Sequence, residues 1–348
     1  MTGHHIKINV LIVIKALNEE RRIEAAVQSA LNAVNLVGGE VILADSCSTD
    51  NTVALASVFP IRIVQLRHAG ERCCGIGPQL GYQHSSGDFI YILDGDMEIL
   101  PGFLPAALLF LKENPGMAGV GGQVVEMNIT GLEYIARMER SANHMGQGDV
   151  DRLDMGGLYR RSAVEETGYF SDRNLHSYEE LDLGVRLRHA GWKLWRLDIA
   201  AVRHHGHDVT PYVLLVKRWR SLYICGLGEM VRAAWISGRL GLVLDCAHEV
   251  KLYAGILFFL ATLCLTLFLP IPAFLKAFVL GTPFVLVYLA MAWRKKSTAK
   301  AFYSLVAWSF NTAGLLRGLL RGRRQPRENV ASLLLKDIVA PVCIPKRV

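Results

Sequence analysis

The sequence predicts an α/β protein with a mixed, mostly parallel sheet flanked by helices, followed by a membrane-associated helical region. Two observations predict this fold class. Within the first 200 residues, short apolar runs alternate with helix-start signals, the pattern of parallel strands joined by helices. After residue 250 come two nearly uncharged runs of about 20 residues, the length that crosses a bilayer as a helix. The 348 residues suffice for about two domains.

Four short runs in the first part are predicted to be strands. The run at 89–93 is continuous and rich in branched and aromatic residues, which favours a buried strand over a helix. Parallel strands bring their carboxyl ends to one edge of a sheet, so we expect ligand-binding side chains where these runs end. The runs cover residues 8–14, 41–44, 61–66 and 89–93, and a further short strand is expected at 200–202.

Helix signals lie between these runs. Asn18 is predicted to cap the first helix, which Glu19 and Glu20 open with acidic side chains that suit the helix dipole. Later helices are expected to start at Asp50 or Asn51, to start near Pro101 with a body over 106–111, and to span 178–190 with an end at Gly191.

Residues 252–269 and 273–293 are predicted to form a transmembrane hairpin that turns at 270–272. Trp293 and the cations at 294–296 are typical of an interface anchor, and the positive-inside tendency places both ends of the hairpin in the cytoplasm. A pair of buried core helices is the alternative. Residues 301–320 are predicted to be an amphipathic helix in the membrane plane rather than a third crossing.

Cysteine spacing and charge argue against several classes of protein. Seven cysteines without a Cys-x-x-Cys pair predict neither a disulfide framework nor a zinc site, and the N-terminus has no secretory signal pattern. The net charge is +7, and the basic residues concentrate beside the apolar hairpin, where anionic lipid explains them. We therefore expect no nucleic-acid partner.

Asp94-Gly95-Asp96 directly follows the fourth predicted strand. Two hard carboxylate ligands at such a sheet edge suit Mg²⁺ or Mn²⁺, with phosphate oxygens and water completing the coordination. A solvated Asp-Gly turn is the alternative for the tripeptide alone.

Four segments in order resemble the inverting family 2 glycosyltransferases of the GT-A fold, of the membrane-anchored bacterial type. The resemblance covers about residues 6–226, and the four segments at family-like spacing are more specific than any one of them. They are Val13-Ile14-Lys15-Ala16-Leu17-Asn18-Glu19-Glu20, Asp45-Ser46-Cys47-Ser48-Thr49-Asp50-Asn51-Thr52, the run from Gly87 to Asp96, and Gly156 to Phe170 followed by Glu179-Glu180-Leu181-Asp182-Leu183.

The resemblance implies a role for each of a set of residues. Glu180 is the implied general base, with Glu179 as the fallback, because inversion needs one carboxylate to take the proton of the acceptor hydroxyl. Asp96, Asp94 and His204 are the implied metal ligands. The donor side is formed by Lys15, Asn18, Glu19, Asp45, Asp94, Arg218 and Arg72, the last in a glycine-rich basic loop, and the acceptor side by Gly156, Gly157 and Tyr159.

The chain departs from the family pattern at three positions. Lys15 stands where proline is usual, Ser46 where a second aspartate is usual, and Glu180 where aspartate is usual. For Asp45, Asn18 and Glu19 a turn or helix-cap role is the structural alternative. His204, His205 and His207 follow the strand at 200–202, and a solvated or capping role is their alternative.

The predicted protein is thus a metal-dependent glycosyltransferase anchored in the plasma or inner membrane, with its catalytic domain in the cytoplasm. Its expected partners are a nucleoside-diphosphate sugar, the membrane, and a hydroxyl acceptor such as a polyprenyl-linked glycan of surface polysaccharide synthesis. A nucleotidyltransferase and a non-catalytic membrane scaffold are the alternatives. The predicted domains are 1–226 (catalytic), 227–250 (interfacial linker), 251–294 (hairpin) and 295–348 (basic interfacial tail).

Overall fold

The structure is a computed structural model that describes residues 9–127, 146–154, 156–206 and 209–338. The chain divides into two compact units, one formed by Met1–Val209 with Arg323–Val348 and the other by Thr210–Gly322. The first unit contains the sheet and its helices. The second is helical. This division differs from the predicted boundary at residue 226.

One mixed sheet runs through the first unit. Its strands are β1 (Val10–Ala16), β2 (Gly39–Asp45), β3 (Arg62–Leu66), β4 (Phe89–Asp94), β5 (Met97–Ile99), β6 (Met117–Glu126), β7 (Gly148–Val150), β8 (Gly157–Arg160), β9 (Lys193–His204) and β10 (Ser332–Lys336). The strand order is β10-β3-β2-β1-β4-β8-β6-β9-β5, and β7 pairs with β9. Strands β3, β2, β1 and β4 are parallel, whereas β8 pairs antiparallel with both β4 and β6.

Helices cover both faces of this sheet, as predicted. Val10, Ile12 and Ile14 of β1 pack in one apolar cluster, whereas Leu11 and Val13 pack in another, because successive strand residues point to opposite faces. The first cluster includes α1 (Ile23–Val37) and α4 (Phe103–Glu113), and the second includes α3 (Ile76–Gln83), α5 (Arg161–Thr167) and α6 (Glu179–His189). A short helix, α2 (Thr52–Ala56), follows β2.

The prediction that Asn18 caps the first helix is wrong, because α1 begins at Ile23. Asn18 takes a left-handed φ of 59° and its Oδ1 accepts the Thr49 N–H at 2.7 Å. The Glu19 N–H donates to Thr52 Oγ1 at 2.7 Å. The polar groups of this segment are therefore satisfied by the loop after β2 rather than by a helix of their own.

Three other predicted helices agree with the structure to within two residues at the ends that were predicted. Helix α2 begins directly after Asn51, and α6 lies within one residue of the predicted span at each end. Helix α4 begins at Phe103, two residues after Pro101, because Gly102 between them has a left-handed φ of 87°.

Helix α3 packs closely against β1 at two glycines, Gly77 and Gly81, of the glycine-rich segment that follows Arg72 and is predicted to be a basic loop. A Cβ on Gly77 would lie 2.8 Å from the Lys15 Cβ, and one on Gly81 would lie 2.2 Å from the Val13 Cγ1. The glycines thus let α3 approach the central strand. The glycine-rich segment is therefore partly a packing device and not wholly a basic loop.

Substitution of Gly81 by alanine is expected to lower the free energy of unfolding by about 1–2 kcal/mol. The overpacking against Val13 outweighs the gain in helix propensity. Gly70→Ala is the matched control, because nothing lies within 4 Å of a Cβ there. Thermal unfolding of both variants checks this, and equal midpoints would contradict the packing role of Gly81.

Residues 323–338, which we expected in an interfacial tail, instead complete the edge of the sheet. Strand β10 pairs antiparallel with β3. Arg62 Nε donates to Asp337 at 2.8 Å and the Lys336 ammonium donates to the Ser57 carbonyl at 2.7 Å. Backbone pairing with an open strand edge can draw a distant segment back to the sheet, and the basic composition of this segment gives no sign of it.

The second unit consists of six described helices. They are α7 (Pro211–Arg220), α8 (Gly226–Ile236), α9 (Leu240–Cys246), α10 (His248–Phe268), α11 (Ala273–Lys295) and α12 (Thr298–Leu320). Among the described helices, α10 and α11 are long and apolar enough to cross a membrane. Only 17% and 6% of their apolar windows are buried, whereas a core helix of a soluble protein is mostly buried.

Helix α12 packs on α8 through glycines. A Cβ on Gly228 would lie 2.1 Å from the Leu315 carbonyl oxygen, and one on Gly318 would lie 2.1 Å from the Cys225 carbonyl oxygen. The two backbones therefore approach closely. Small residues of this kind permit such approach between helices.

Candidate active site

The ends of β1, β2 and β4 bring the predicted site residues to one edge of the sheet. Ala16 is paired with Asp45 and Lys15 with Asp94 in the registers of β1 with its two neighbours. Asp96 follows two residues after Asp94. Lys15 and Asp94, which are 79 positions apart in the sequence, therefore lie side by side.

Hydrogen bonds tie the loops after β1 and β2 together. The Asn18 N–H donates to Ser48 Oγ at 2.9 Å, and the Ser48 N–H donates to Asp45 Oδ2 at 3.0 Å. Gln65 also donates to Asp45 Oδ2, at 2.8 Å. Asn18 thus shapes the rim of the site through its backbone and side chain.

Asp45 accepts hydrogen bonds with one carboxylate oxygen, Oδ2, and not with the other, Oδ1, among the described residues. Its side chain is fully buried, and Oδ1 has no hydrogen-bond partner among the described residues. A buried acceptor without a partner is unfavourable unless a ligand or water supplies a donor. This oxygen is therefore suited to accept an N–H from a bound molecule.

Lys15 contacts one carboxylate at the end of β4 and another at the start of α6. Its Nζ lies 2.9 Å from Asp94 Oδ1 and 3.2 Å from Glu179 Oε1. Burial is the largest single influence on the ammonium and favours the neutral amine. The carboxylates of Asp94, Glu179 and Glu180 together outweigh it and raise the pKa of Lys15 well above its ordinary value. Lys15 is therefore a fixed positive charge between the strand edge and α6.

The glutamate pair opens α6. Tyr178, directly before it, has a left-handed φ of 67°. Burial raises the pKa of the Glu180 carboxyl well above its ordinary value, Lys15 opposes that shift, and Asp154 and Glu179 add to it. A carboxylate with a raised pKa is a stronger base, as proton abstraction requires.

Arg186 fixes α6 in place. Its guanidinium donates to Asp182 at 2.8 Å, one turn earlier, and to the Tyr169 and Phe170 carbonyls at 2.7 and 2.8 Å. Asp182 and Arg186 are both buried. They are positioning residues for the helix that carries the glutamate pair.

His204 stands between two carboxylates. Its Nε2 lies 3.4 Å from Asp96 Oδ2, and its Nδ1 lies 2.7 Å from Glu126 Oε2. Burial, the largest influence, favours the neutral ring, but the bonds to Asp96 and Glu126 outweigh it and raise the pKa of His204 to about 9. The ring must lose a proton before it can bind a metal.

Glu19 completes a cluster of acidic groups at this edge. Burial, and then the charges of Asp96, Asp94 and Asp50, raise the pKa of Glu19 to about 8, although His204 opposes them. A Cβ on Gly95 would lie 2.8 Å from the Glu19 Cγ, so only glycine fits between the two aspartates. The acidic groups are therefore held close enough to disfavour one another's charge.

Glu19→Gln is expected to stabilise the fold at alkaline pH. Because the pKa rises from an ordinary 4.5 to about 8 on folding, the stability that protonated Glu19 supplies is full below pH 4.5 and is lost as the pH rises through 8. We expect a gain of about 1–2 kcal/mol at pH 9 and little at pH 4, after allowance for partial exposure. Unfolding midpoints across this range check it.

Glu24→Gln, at an exposed position in α1, is the control for the Glu19 series. A Glu19→Gln variant that is equally stabilised at both ends of the pH range would contradict the assigned cause, as would a variant that is destabilised at pH 9.

The donor atoms at this edge fit a divalent ion that shares its coordination with a ligand. Among the described residues, no group of three His, Cys, Asp or Glu side chains is arranged to hold a metal by itself. Mg²⁺ is commonly bound through one or two carboxylates, with substrate phosphates and water completing the shell. Asp96 and Asp94 supply such carboxylates, and a cation there would relieve the repulsion that raises the pKa of Glu19.

The two predicted arginines of the donor side have other contacts. Arg72 donates from Nε to the Ser46 carbonyl at 2.8 Å and also donates to the Cys47 carbonyl, so it braces the loop after β2. Arg218 belongs to the helical unit, where its guanidinium lies 5.1 Å from the centre of the Tyr223 ring. Donor binding by Arg218 stays a prediction.

The predicted acceptor-side residues lie in β8 or directly before it. Gly157 is paired with Ile92 of β4, and Gly156 has a left-handed φ of 103° where a Cβ would meet the Tyr91 hydroxyl at 2.6 Å. Tyr159 is only 2% exposed, and its ring packs edge-on against Phe170. Tyr159 therefore supports the floor beneath the glutamate pair rather than an open surface.

Sequence reasoning missed Glu126 and did not foresee the contact of His205. Glu126 is paired with His204 through the parallel register of β6 and β9, and the His205 Nε2 lies 2.8 Å from Glu98 Oε1. Neither contact has a local signal, because 78 and 107 residues separate the partners. His207 lies outside the described residues.

Comparison with known proteins gives a family match and several relatives. Residues 11–168 match the model of the family Glycosyl transferase family 2. The probable glucomannan 4-beta-mannosyltransferase 1 of Arabidopsis thaliana is 26% identical over 156 residues, which cover 42% of this chain and 27% of that protein. The O-antigen chain rhamnosyltransferase WbaN of Salmonella anatum is 24% identical over 189 residues, covering 49% and 58%. The matches thus span about a quarter of the first relative and just over half of the second.

Among solved structures, the mannosyltransferase PcManGT from Pyrobaculum calidifontis has a TM-score of 0.58 and 15% identity. The similarity covers 90% of this chain and 87% of that one. At this identity the likeness shows the fold alone, and it confirms the GT-A architecture predicted from the sequence.

Proposed function

Because residues 11–168 match the model of Glycosyl transferase family 2, we propose that the chain is an inverting, divalent-metal-dependent enzyme that transfers a sugar from a nucleoside-diphosphate donor to a hydroxyl acceptor. One observation carries the proposal. The Lys15 ammonium contacts both Asp94 at the strand edge and Glu179 at the start of α6, at 2.9 and 3.2 Å. A single side chain thus links the donor half and the acceptor half of one site.

The donor is expected to bind along the edge formed by β1, β2 and β4. Asp45 Oδ1, buried and without a partner among the described residues, accepts an N–H of the base. The loops that Asn18 and Arg72 brace form the walls of the base site. The relatives and PcManGT, whose structure contains GDP-Man and Mn²⁺, support a nucleotide-sugar donor.

Asp96, with Asp94 and His204 beside it, is the expected holder of the divalent ion. The cation would offset the negative charge that develops on the departing diphosphate. The leaving group needs no proton because a nucleoside diphosphate is stable as an anion.

Glu180 is the proposed general base. It takes the proton of the acceptor hydroxyl while the oxygen bonds to the anomeric carbon on the face opposite the diphosphate. The bond between the anomeric carbon and the phosphate oxygen breaks, and its electron pair leaves with the nucleoside diphosphate. The sugar is transferred with inversion, and Glu180 is left protonated.

We propose that the acceptor is held at a membrane, on its cytoplasmic side. The support is the pair of long, poorly buried apolar helices α10 and α11. Such helices hold an enzyme where lipid-linked glycans are found, and the relative from Salmonella is named for O-antigen synthesis. A polyprenyl-linked glycan in surface polysaccharide synthesis is the acceptor class that fits.

A screen of nucleotide sugars tests the function. The purified protein is incubated with a panel of UDP-, GDP- and TDP-sugars and Mn²⁺, and the release of nucleoside diphosphate and the thermal midpoint are both measured. A donor at 100 times its dissociation constant should add about 2.7 kcal/mol of stability. Metal-dependent release or protection by one donor is expected, and an absence of both across the panel would support a non-catalytic scaffold.

Flotation with liposomes tests the membrane proposal. The full chain should float with vesicles and resist extraction by alkaline carbonate. A variant that lacks residues 248–295 should be released from the vesicles by carbonate. Release of the full chain by carbonate would contradict a transmembrane hairpin.

A further inference from the structure

The Lys15 ammonium opposes the binding of a metal cation by its charge and contacts Asp94, a candidate metal ligand. Its Nζ lies 2.9 Å from Asp94 Oδ1, and its side chain is only 19% exposed. The strand register fixes its position, because Lys15 is paired with Asp94 across β1 and β4. The ammonium cannot simply turn away into solvent.

The packing of Lys15 restricts it further. A Cβ on Gly77 would lie 2.8 Å from the Lys15 Cβ, so α3 closes over the base of the side chain. The far end meets Glu179 at 3.2 Å, and the Glu179 side chain is 10% exposed. The ammonium therefore spans the space between two carboxylates from different elements.

The Lys15 ammonium repels a bare divalent ion more strongly than a divalent ion that is bound to the donor. A bare divalent ion brings two positive charges beside a fixed ammonium, and that repulsion is strong in a partly buried site. A divalent ion on a nucleoside-diphosphate sugar brings a net charge of about zero, because the two phosphate charges offset it. Such a complex approaches Lys15 without net repulsion.

We propose that Lys15 holds the place of a cation between Asp94 and Glu179, so that the divalent ion enters together with the donor diphosphate and not alone. Lys15 is then a positioning residue that sets the order of binding. The inference rests on the proposed function, because it requires a metal-dependent nucleotide-sugar site at this edge.

Binding of Mn²⁺ without nucleotide tests the proposal directly. Free Mn²⁺ is titrated against the full chain and followed by its electron paramagnetic resonance signal, first alone and then with UDP or, separately, GDP. For Lys15→Met, which keeps an unbranched side chain one atom shorter and without the charge, we expect the nucleotide-free affinity for Mn²⁺ to rise at least about tenfold. The stimulation of Mn²⁺ binding by the nucleotide should shrink by a similar factor.

Lys15→Arg, which keeps the charge, should retain the weak nucleotide-free binding of the wild type. Lys112→Met removes an exposed lysine from the end of α4 and should change nothing. Unfolding midpoints show whether each variant is folded. Lys15→Gln provides the same neutral comparison if the methionine variant does not fold.

Two results separate the inference from the function. If the wild type binds Mn²⁺ with UDP or GDP but Lys15→Met or Lys15→Gln gains no nucleotide-free binding, the role of Lys15 is overturned and the proposed function stands. If neither the wild type nor the variants bind Mn²⁺ under any of these conditions, the metal-dependent site and the inference both fail.

Discussion

Asp96→Asn is expected to abolish metal-dependent binding of the donor and to lower turnover by about 100- to 1,000-fold. Asp96 is buried at the tip of the fourth strand, beside His204 and close to Glu19. An amide in its place keeps the shape but removes the charge on which a hard divalent ion depends. Binding of Mn²⁺ with UDP or GDP and release of nucleoside diphosphate are the two measurements.

Asp88→Asn is the matched control for Asp96→Asn. Asp88 lies just before β4, is exposed, and its side chain accepts the Asn9 N–H at 3.3 Å. We expect wild-type donor binding and turnover in this variant. If Asp96→Asn also bound Mn²⁺ and donor as the wild type does, the proposed metal position would be wrong.

Glu180→Gln is expected to lower kcat by about 10²- to 10⁴-fold while donor binding is kept. The amide cannot take the acceptor proton, but it leaves the strand edge and the paired Lys15 and Asp94 in place. Because burial raises the pKa of Glu180, the wild-type rate should fall on the acid side at a pH above the ordinary range of a glutamate, as the base becomes protonated. Single-turnover rates at saturating donor and a pH profile check both points.

Glu179→Gln distinguishes between the two candidate bases. One oxygen of Glu179 contacts the Lys15 ammonium at 3.2 Å, so Glu179 is less available to take the acceptor proton. We therefore expect Glu179→Gln to lower kcat less than Glu180→Gln does. Glu165→Gln, at an exposed position on α5, should leave the rate unchanged. A larger loss in Glu179→Gln than in Glu180→Gln would reverse the assignment of the base.

The parallel half of the sheet and the gathering of the candidate site residues at its edge could be predicted from the sequence. Continuous apolar runs mark buried strands, and polar residues at their ends mark the edge where they meet. Asp45, Asp94 and Asp96 fall where this reasoning puts them. A local sequence pattern is therefore enough to place a residue when the apolar strand and the aspartate at its end lie in the same segment.

Other features depend on contacts between distant segments that no local pattern encodes. Glu126 reaches His204 only through the register of β6 and β9, and β10 returns to β3 from the far end of the chain. The cap predicted at Asn18 was wrong because loop partners at Thr49 and Thr52 satisfied the same polar groups. Helix-capping propensity alone does not show whether the polar groups of Asn18 will bond to a helix N-terminus or to a neighbouring loop.

The position of a bound ion tests the central claim most directly. Crystals of the full chain grown with Mn²⁺ and UDP or GDP would show the ion by its anomalous scattering. We expect a peak at coordination distance from a carboxylate oxygen of Asp96, in a cleft that also contains the carboxylate of Glu180. A peak elsewhere, or a Glu180 side chain on the opposite face of the sheet from the ion, would contradict it.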